Sequence, residues 1–307
     1  MKKIKTNIKY KKNKYTLKIL FFIISFYILK KINKNDSNSY FSLNKNISSI
    51  NKSNIIKLFW YGNNYDPNGG DFFGKWLLQK MGYKVIFAYI PDIVICGSIL
   101  NFKNIKSNTK IWGVGFHNYK DYIRGVKNQS SFYAVRGKLT FNKLNLTSNI
   151  VLGDPGLLLS RFFSPKTKKI YDKCIISHNK DYNFFTKEFG NKYYIINMGT
   201  NNIEKIANSI NKCNFTFSSS LHGIIFSHSL GIPSVHLEYR ELYSKKNFKF
   251  KDYYSILDIP YVKEDLKMDN IDNIVKKYKK NGLKFLPSQK IIRKIQDDLL
   301  FSFPYKK

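Results

Sequence analysis

The chain has 307 residues, enough for two core-forming domains or one large one, and its 43% hydrophobic content excludes wholesale disorder. A formal net charge of +33 would draw nucleic acid, anionic lipid or an anionic substrate. Forty-eight of the fifty-three basic residues are lysine, however, and Asn, Ile and Tyr are over-used too, so the charge reads mainly as a bias spread along the surface. Three widely spaced cysteines (Cys96, Cys174, Cys213) lie in apolar runs without a CxxC. They read as buried thiols and support neither a structural zinc nor a disulfide scaffold.

Residues 1–15 form a basic tail with seven lysines. Residues 16–32 read as a membrane anchor, since Ile19 to Leu29 carry no charge and Lys18, Lys30 and Lys31 bound the run. The run falls short of the ~20 residues of a spanning helix, a gap that snorkelling lysines can close. No small-residue cleavage site follows. An uncleaved single-pass anchor is therefore favoured over a cleaved signal or an amphipathic helix. Lysines on both flanks leave the side of the membrane unset. Residues 33–53, rich in Asn, Ser and Lys, read as a solvated stalk.

From Ile55 the pattern becomes α/β alternation: strands around Ile55–Trp60, Lys84–Ala88, Ile93–Cys96 and Lys110–Val114, separated by helical stretches such as Phe72–Met81. A second round brings strands at Ile175–Ser177, Tyr194–Asn197 and Asn214–Phe217, with a helix over Ile203–Asn211. The expected architecture is two Rossmann-like α/β domains, 54–165 and 166–265, facing across a cleft. A helical tail follows over 266–307.

Ligands of such folds sit beyond the carboxyl ends of the strands. Three serines, Ser218 to Ser220, end a strand there, and Leu221-His222-Gly223 turns into a helix whose N–H groups and dipole suit an anion. His222 is the sharpest catalytic candidate, because imidazole exchanges protons near neutrality. His228 and His236 read as packing residues, and His117 and His178 as secondary cleft candidates. No histidine has a partner at metal-ligand spacing, so no metal is expected. The loop Asn63–Phe73 carries Gly69-Gly70 before Asp71, which reads either as a helix N-cap or as a cleft carboxylate.

Arginine is scarce (Arg124, Arg136, Arg161, Arg240, Arg293), which gives weight to Arg136, directly after a short strand and before Gly137. It is predicted to clamp an anion with its planar fork. Gly153-Asp154-Pro155-Gly156 is a turn by chemistry, with Asp154 structural. Asn247–Ser255, where Lys249 and Lys251 alternate with aromatics, reads as an edge strand or a basic loop near the anion site.

These segments, in this order, resemble the polysaccharide pyruvyl transferase family. The residues concerned are the Gly-Gly-Asp loop ending at Asp71, Trp112–Phe116, Ala134–Thr140, Gly153–Leu159, Ser218–Pro233 and Lys249–Tyr254. The resemblance implies a glycosyltransferase-B-like fold, phosphoenolpyruvate (PEP) as donor substrate and no cofactor. The acceptor would be a sugar residue of a glycan or lipid-linked oligosaccharide, which receives a pyruvate ketal across two hydroxyls. It further implies that Arg136, Ser219, Ser220, Leu221, Gly223, Lys249 and Lys251 hold substrate. Protonated His222 would protonate the donor's methylene carbon, and Asp71 would orient or deprotonate the acceptor. Many members carry arginine immediately before Leu-His-Gly, where this chain has Ser220, so the missing charge must come from Arg136, Lys249, Lys251 or the helix N-terminus. A nucleotide-sugar glycosyltransferase of the same fold, using Glu238 to grip ribose, is the competing enzymatic reading. A membrane-anchored basic protein that binds polyanions is the non-enzymatic one. No nucleic-acid partner is expected.

Overall fold

The computed structural model describes residues 54–61, 67–123, 131–147, 149–239, 245–266, 269–278 and 282–305, all within one compact unit that begins at Asn54. The expected anchor over 16–32, with the basic tail and stalk, lies outside the described residues, as do Arg124 and Arg240. Among the described residues no helix is long and apolar enough to cross a membrane.

The first sheet is wholly parallel, in the order β2-β1-β3-β4-β5-β6. Its strands are β1 (Ile55–Leu58), β2 (Lys84–Phe87), β3 (Ile93–Ile95), β4 (Lys110–Val114), β5 (Phe132–Val135) and β6 (Val151–Leu152). Helix α1 (Gly69–Lys80) crosses from β1 to β2, and α2 (Lys138–Lys143) follows β5. The continuous burial of β3 and β4 fits a sheet covered on both faces.

A short turn at Pro155–Leu158 and helix α3 (Leu159–Phe162) lead to the second sheet. It contains β7 (Tyr171–Ser177), β8 (Tyr194–Asn197), β9 (Cys213–Ser218), β10 (Ser234–Glu238) and β11 (Lys263–Asp265). They are again all parallel, in the order β11-β10-β9-β7-β8. Crossovers are supplied by α4 (Tyr182–Phe189), α5 (Ile203–Asn211), α6 (Leu221–Ser229) and α7 (Phe248–Tyr254), and α8 (Ile271–Lys277) and α9 (Gln289–Ser302) close the chain. An α/β fold with two parallel sheets is thus established.

One apolar cluster runs between the sheets. Phe73 and Leu77 of α1, Ile206 of α5, Ile224 to Phe226 of α6 and Ile295 and Leu299 of α9 all belong to it, with Leu157 to Leu159 of the connecting turn. Helix α9 reaches back to the first sheet, where Trp112 Nε1 donates to Leu299 O at 3.2 Å. Gly113, inside β4, has φ +79, and the register with β5 shifts beside it. A Cβ at that position would overlap the Pro155 ring. Gly113 therefore permits both the left-handed bulge and the close seat of the Gly-Asp-Pro-Gly turn.

Two expectations fail. Lys249 and Lys251 lie on a helix, α7, not on a strand or loop. The aromatic alternation hides a helical face in which Phe248, Lys249, Asp252 and Tyr253 are buried while Lys251 is exposed. Nor are all the cysteines thiols: Cys174 of β7 and Cys213 of β9 form a disulfide between neighbouring strands, Cα atoms 6.0 Å apart. Residues 39 apart in sequence showed no framework. It is sheet pairing that places them side by side. Cys96 remains a buried free thiol.

Candidate active site

A cavity of about 590 Å³ opens where strand ends of both sheets meet the N-termini of α1 and α6. Asn68 caps α1 by accepting from Gly70 N at 3.0 Å, so Asp71 is not the cap. Its carboxylate accepts from Asn68 Nδ2 at 2.8 Å and lines the cavity. The glycine pair lets α1 press on the second half of the molecule. Gly69 N donates to Met198 O at 2.8 Å, and a Cβ on Gly70 would overlap the His222 ring at Nδ1.

Opposite lies the first turn of α6. Helix begins at Leu221, so His222 stands within it rather than in the loop before it. Ser220 is the N-cap residue but makes no side-chain cap bond; its N–H is taken up by Ser218 Oγ at 3.1 Å. Ser220, Leu221 and His222 line the cavity beside that helix N-terminus. Ser219 stands one step back, where its Oγ accepts from His178 N at 2.9 Å and holds the β7 strand end carrying His178, Asn179 and Lys180 into the lining. Gly223 does not line this cavity: a Cβ there would overlap Ser218 Oγ and crowd Ile176. It is a packing residue, contrary to its expected binding role.

Arg136 is likewise displaced from its expected role. Its side chain is 0% exposed and does not line the cavity. Nε donates to Asp252 Oδ2 at 3.0 Å, Nη1 to Ser98 Oγ at 2.7 Å and Nη2 to Phe116 O at 2.6 Å. Asp252 also accepts from Thr140 N at 2.9 Å and Thr140 Oγ1 at 2.6 Å. With the fork fully engaged, Arg136 fastens α7 to the first sheet. One turn earlier on α7, Lys249 is thereby aimed into the cavity, 7% exposed. Lys251 faces solvent and takes no part. Glu238 is ion-paired with Lys263 on the edge strand β11 and does not line the cavity either.

Burial sets the protonation states. It pushes the Lys249 ammonium down to about 8, helped by Arg136 and opposed by Asp71 and Asp181. It lifts the Asp71 carboxyl to about 7, with Lys249 opposing. His222 is pushed down to about 3 by burial and by the positive charges of Arg136 and Lys249, so its imidazole is neutral. The expected protonated His222 is therefore not the state of this protein without ligand. His117, also lining the cavity, is held near 3 by burial and by Lys249 and Arg136.

Behind His222 lies Asp154. Its Oδ1 accepts from Gly156 N at 2.9 Å and stands 3.8 Å from His222 Nε2. Burial lifts its carboxyl to about 6. The Cys96 thiol, raised by burial and by the Asp154 and Asp71 charges, completes this inner group. The turn chemistry of Asp154 is thus joined by a chemical neighbourhood that its sequence context hid. Asn68, Cys96 and Lys180 were also missed. Cys96-Gly97-Ser98 directly follows β3, the strand-end position that marks ligand contacts in parallel sheets, and that was the available signal. His228 bonds Tyr253 OH at 3.0 Å and His236 stacks on Phe250, both away from the cavity.

Compared with known proteins, residues 10–241 match the family described as polysaccharide pyruvyl transferase. An uncharacterised protein of Acanthamoeba polyphaga mimivirus is 34% identical over 212 residues, covering 63% of this chain and 72% of the relative. Among solved structures, the wall teichoic acid polymerase TagF aligns over 83% of this chain and 84% of its own, at 12% identity and a TM-score of 0.34. Lys249 and the α7 helix lie beyond the matched segment.

Proposed function

The chain belongs to the polysaccharide pyruvyl transferase family, and from that premise we propose that it moves the enolpyruvyl group of PEP onto two hydroxyls of a glycan sugar. The products are a pyruvate ketal and phosphate, and the two parallel sheets act as the halves of a glycosyltransferase-B-like enzyme. One observation carries the reading. A single cavity holds a buried lysine, an uncapped helix N-terminus, a neutral imidazole and a carboxyl poised near neutrality. Lys249 and the α6 N-terminus supply the positive field for the donor's carboxylate and phosphate. They take over from the arginine that Ser220 replaces, and Arg136 contributes by holding α7. The aromatic wall of Phe59 and Phe102, rings stacked 3.9 Å apart, with Tyr61 beside it, offers a flat face to the acceptor sugar.

The protonation states suit a relay. His222 Nδ1 lies on the Gly70 side, and Nε2 faces Asp154. As Nδ1–H gives its proton to the donor's methylene carbon, Nε2 closes the 3.8 Å gap to Asp154 and receives one from its carboxyl, in the fraction of enzyme that a value of about 6 leaves protonated. The imidazole then stays neutral throughout, which its surroundings require. Positive character at C2 is met by the first sugar hydroxyl, deprotonated by Asp71. The second hydroxyl displaces phosphate and closes the ketal. Over the cycle the methyl group's third hydrogen is balanced by the first hydroxyl's proton, and the second hydroxyl's proton leaves with phosphate.

The test is phosphate release from PEP by the full chain, offered a panel of galactosides and N-acetylhexosamines. Release that requires an acceptor and falls by ~10²–10⁴-fold in His222→Ala is the expected result. Binding of nucleotide sugars without any acceptor-dependent phosphate release would refute the reading in favour of a glycosyltransferase.

A further inference from the structure

Three ligating side chains converge from three separate segments behind the cavity wall, and of the three only His222 belongs to the cavity lining. Cys96 ends β3, Asp154 follows β6 and His222 opens α6, and one ligand atom of each lies within 4.8 Å of the other two. All three residues are buried. Two of the polar atoms have no hydrogen-bond partner, His222 Nε2 and Asp154 Oδ2. Cys96 sits at φ +61, a left-handed conformation uncommon for a side-chain-bearing residue.

Unsatisfied buried polar atoms of this kind call for an occupant. The 3.8 Å between His222 Nε2 and Asp154 Oδ1 is too long for a hydrogen bond. It is close to the span of two ligands held ~2.0–2.2 Å from a tetrahedral ion. We propose that Cys96, Asp154 and His222 form a three-ligand site for a zinc-class divalent metal ion, with its fourth position open to the cavity. One thiolate, one imidazole and one carboxylate select a borderline-soft ion over magnesium or calcium, which prefer all-oxygen shells. A thiolate and a carboxylate neutralise the ion's two charges, so the occupied site is neutral beside Arg136 and Lys249. The thiol and carboxyl protons leave on binding. The ion then occupies the path by which Asp154 would pass a proton to His222, so it switches the transferase off. That last consequence rests on the proposed reaction; the binding does not.

The test uses untagged, chelator-treated full chain, titrated with Co²⁺ without thiol reductants. One Co²⁺ per chain is expected, with a thiolate-to-cobalt charge-transfer band in the near ultraviolet and intense tetrahedral ligand-field bands. Zn²⁺ should bleach both. Cys96→Ser should lose the charge-transfer band, and Asp154→Asn, which removes a charged ligand, should weaken affinity by more than the about 10–100-fold that loss of an outer-shell partner costs. Absence of stoichiometric uptake, or a charge-transfer band that survives Cys96→Ser, overturns the site. Because a variant at a buried position could fail to fold, X-ray absorption of the zinc-loaded wild type provides a second measurement. One sulfur near ~2.3 Å is expected, and a shell without sulfur overturns the proposal. If zinc binds in this way but PEP yields no phosphate in metal-free protein, the metal site stands and the transferase mechanism falls. If phosphate release is seen and zinc leaves it untouched at full occupancy, the switch is wrong.

Discussion

The pH dependence of kcat/KM for PEP offers the most direct check on the charges of this cavity, because that ratio reports the ionisations of the free enzyme. Asp71 must be ionised to accept the acceptor's proton, and burial places its carboxyl at about 7. Lys249 must be charged to hold the donor, and burial places its ammonium at about 8. The competent form therefore grows as pH rises through the first value and is lost as pH rises through the second. The relay also needs Asp154 protonated, and burial places its carboxyl at about 6, so the bell centres near pH ~6.5 with about 6% of the enzyme competent at its summit, and its alkaline side steepens above about 8 as Lys249 loses its proton. Phosphate's own second ionisation, near ~6, adds to the acid limb but belongs to the donor. Asp71→Asn should therefore be much slower and should lose the step near 7 while keeping the donor's. Lys249→Arg retains the charge with a group that does not deprotonate in this range, so the extra steepness above about 8 should vanish while the fall set by Asp154 stays. A fall above about pH 8 as steep in Lys249→Arg as in the wild type, or a step near 7 unchanged in Asp71→Asn, would refute these assignments.

Other consequences follow from the packing around the site. Gly70→Ala places a methyl group against His222 Nδ1. It should lower kcat by more than about tenfold, since ~1 Å of misplacement can cost about 10²-fold, and lower stability by about 1–3 kcal/mol, the usual cost of overpacking. Normal turnover in that variant would show that the ring has room to move. Asp252→Ala leaves the Arg136 guanidinium buried without its carboxylate. Urea titration should show a loss of about 3–5 kcal/mol, the usual cost of breaking a buried ion pair from one side. Donor affinity should fall as well, because α7 carries Lys249. Cys174→Ser should destabilise the second sheet by up to about 4 kcal/mol in the chain-entropy treatment of a loop of this length, read from the denaturant midpoint.

The alternation of apolar strands and amphipathic helices was legible because it is local. Each longer strand and each helix carries its own period, and α5 begins at Ile203 as the pattern predicts. The placement of His222, Asp71 and Lys249 at the cavity was legible for a different reason. They stand at handovers between strand and helix or beside aromatic runs, where polar chemistry has few structural uses. The misreadings share a long-range cause. Arg136 looked like an anion clamp because its carboxylate, Asp252, lies 116 residues away. The cysteine bridge was invisible because only the β7–β9 pairing brings its halves together. Gly223 was expected to bind substrate as part of the family's Leu-His-Gly loop, yet the contact that demands glycine is with Ser218 and Ile176.

The net charge of +33 has little to do with the chemistry proposed here. Surface lysines such as Lys251 and Lys187 face water, where screening confines their reach to a Debye length of ~8–10 Å. The cavity depends instead on one lysine whose ammonium burial has already weakened. A desolvated cation near its own titration point interacts strongly with an incoming anion, because water no longer competes for it. Arg136 cannot play that part, since it is buried outside the cavity lining and its three guanidinium nitrogens donate to Asp252, Ser98 and Phe116 O. Yet the same bonds fix the helix that presents Lys249. Under the proposed reaction, the charge absent at Ser220 is supplied from α7 while a buried arginine holds that helix in place. Arg136 would then be the anchor, and Lys249 the group that meets the donor.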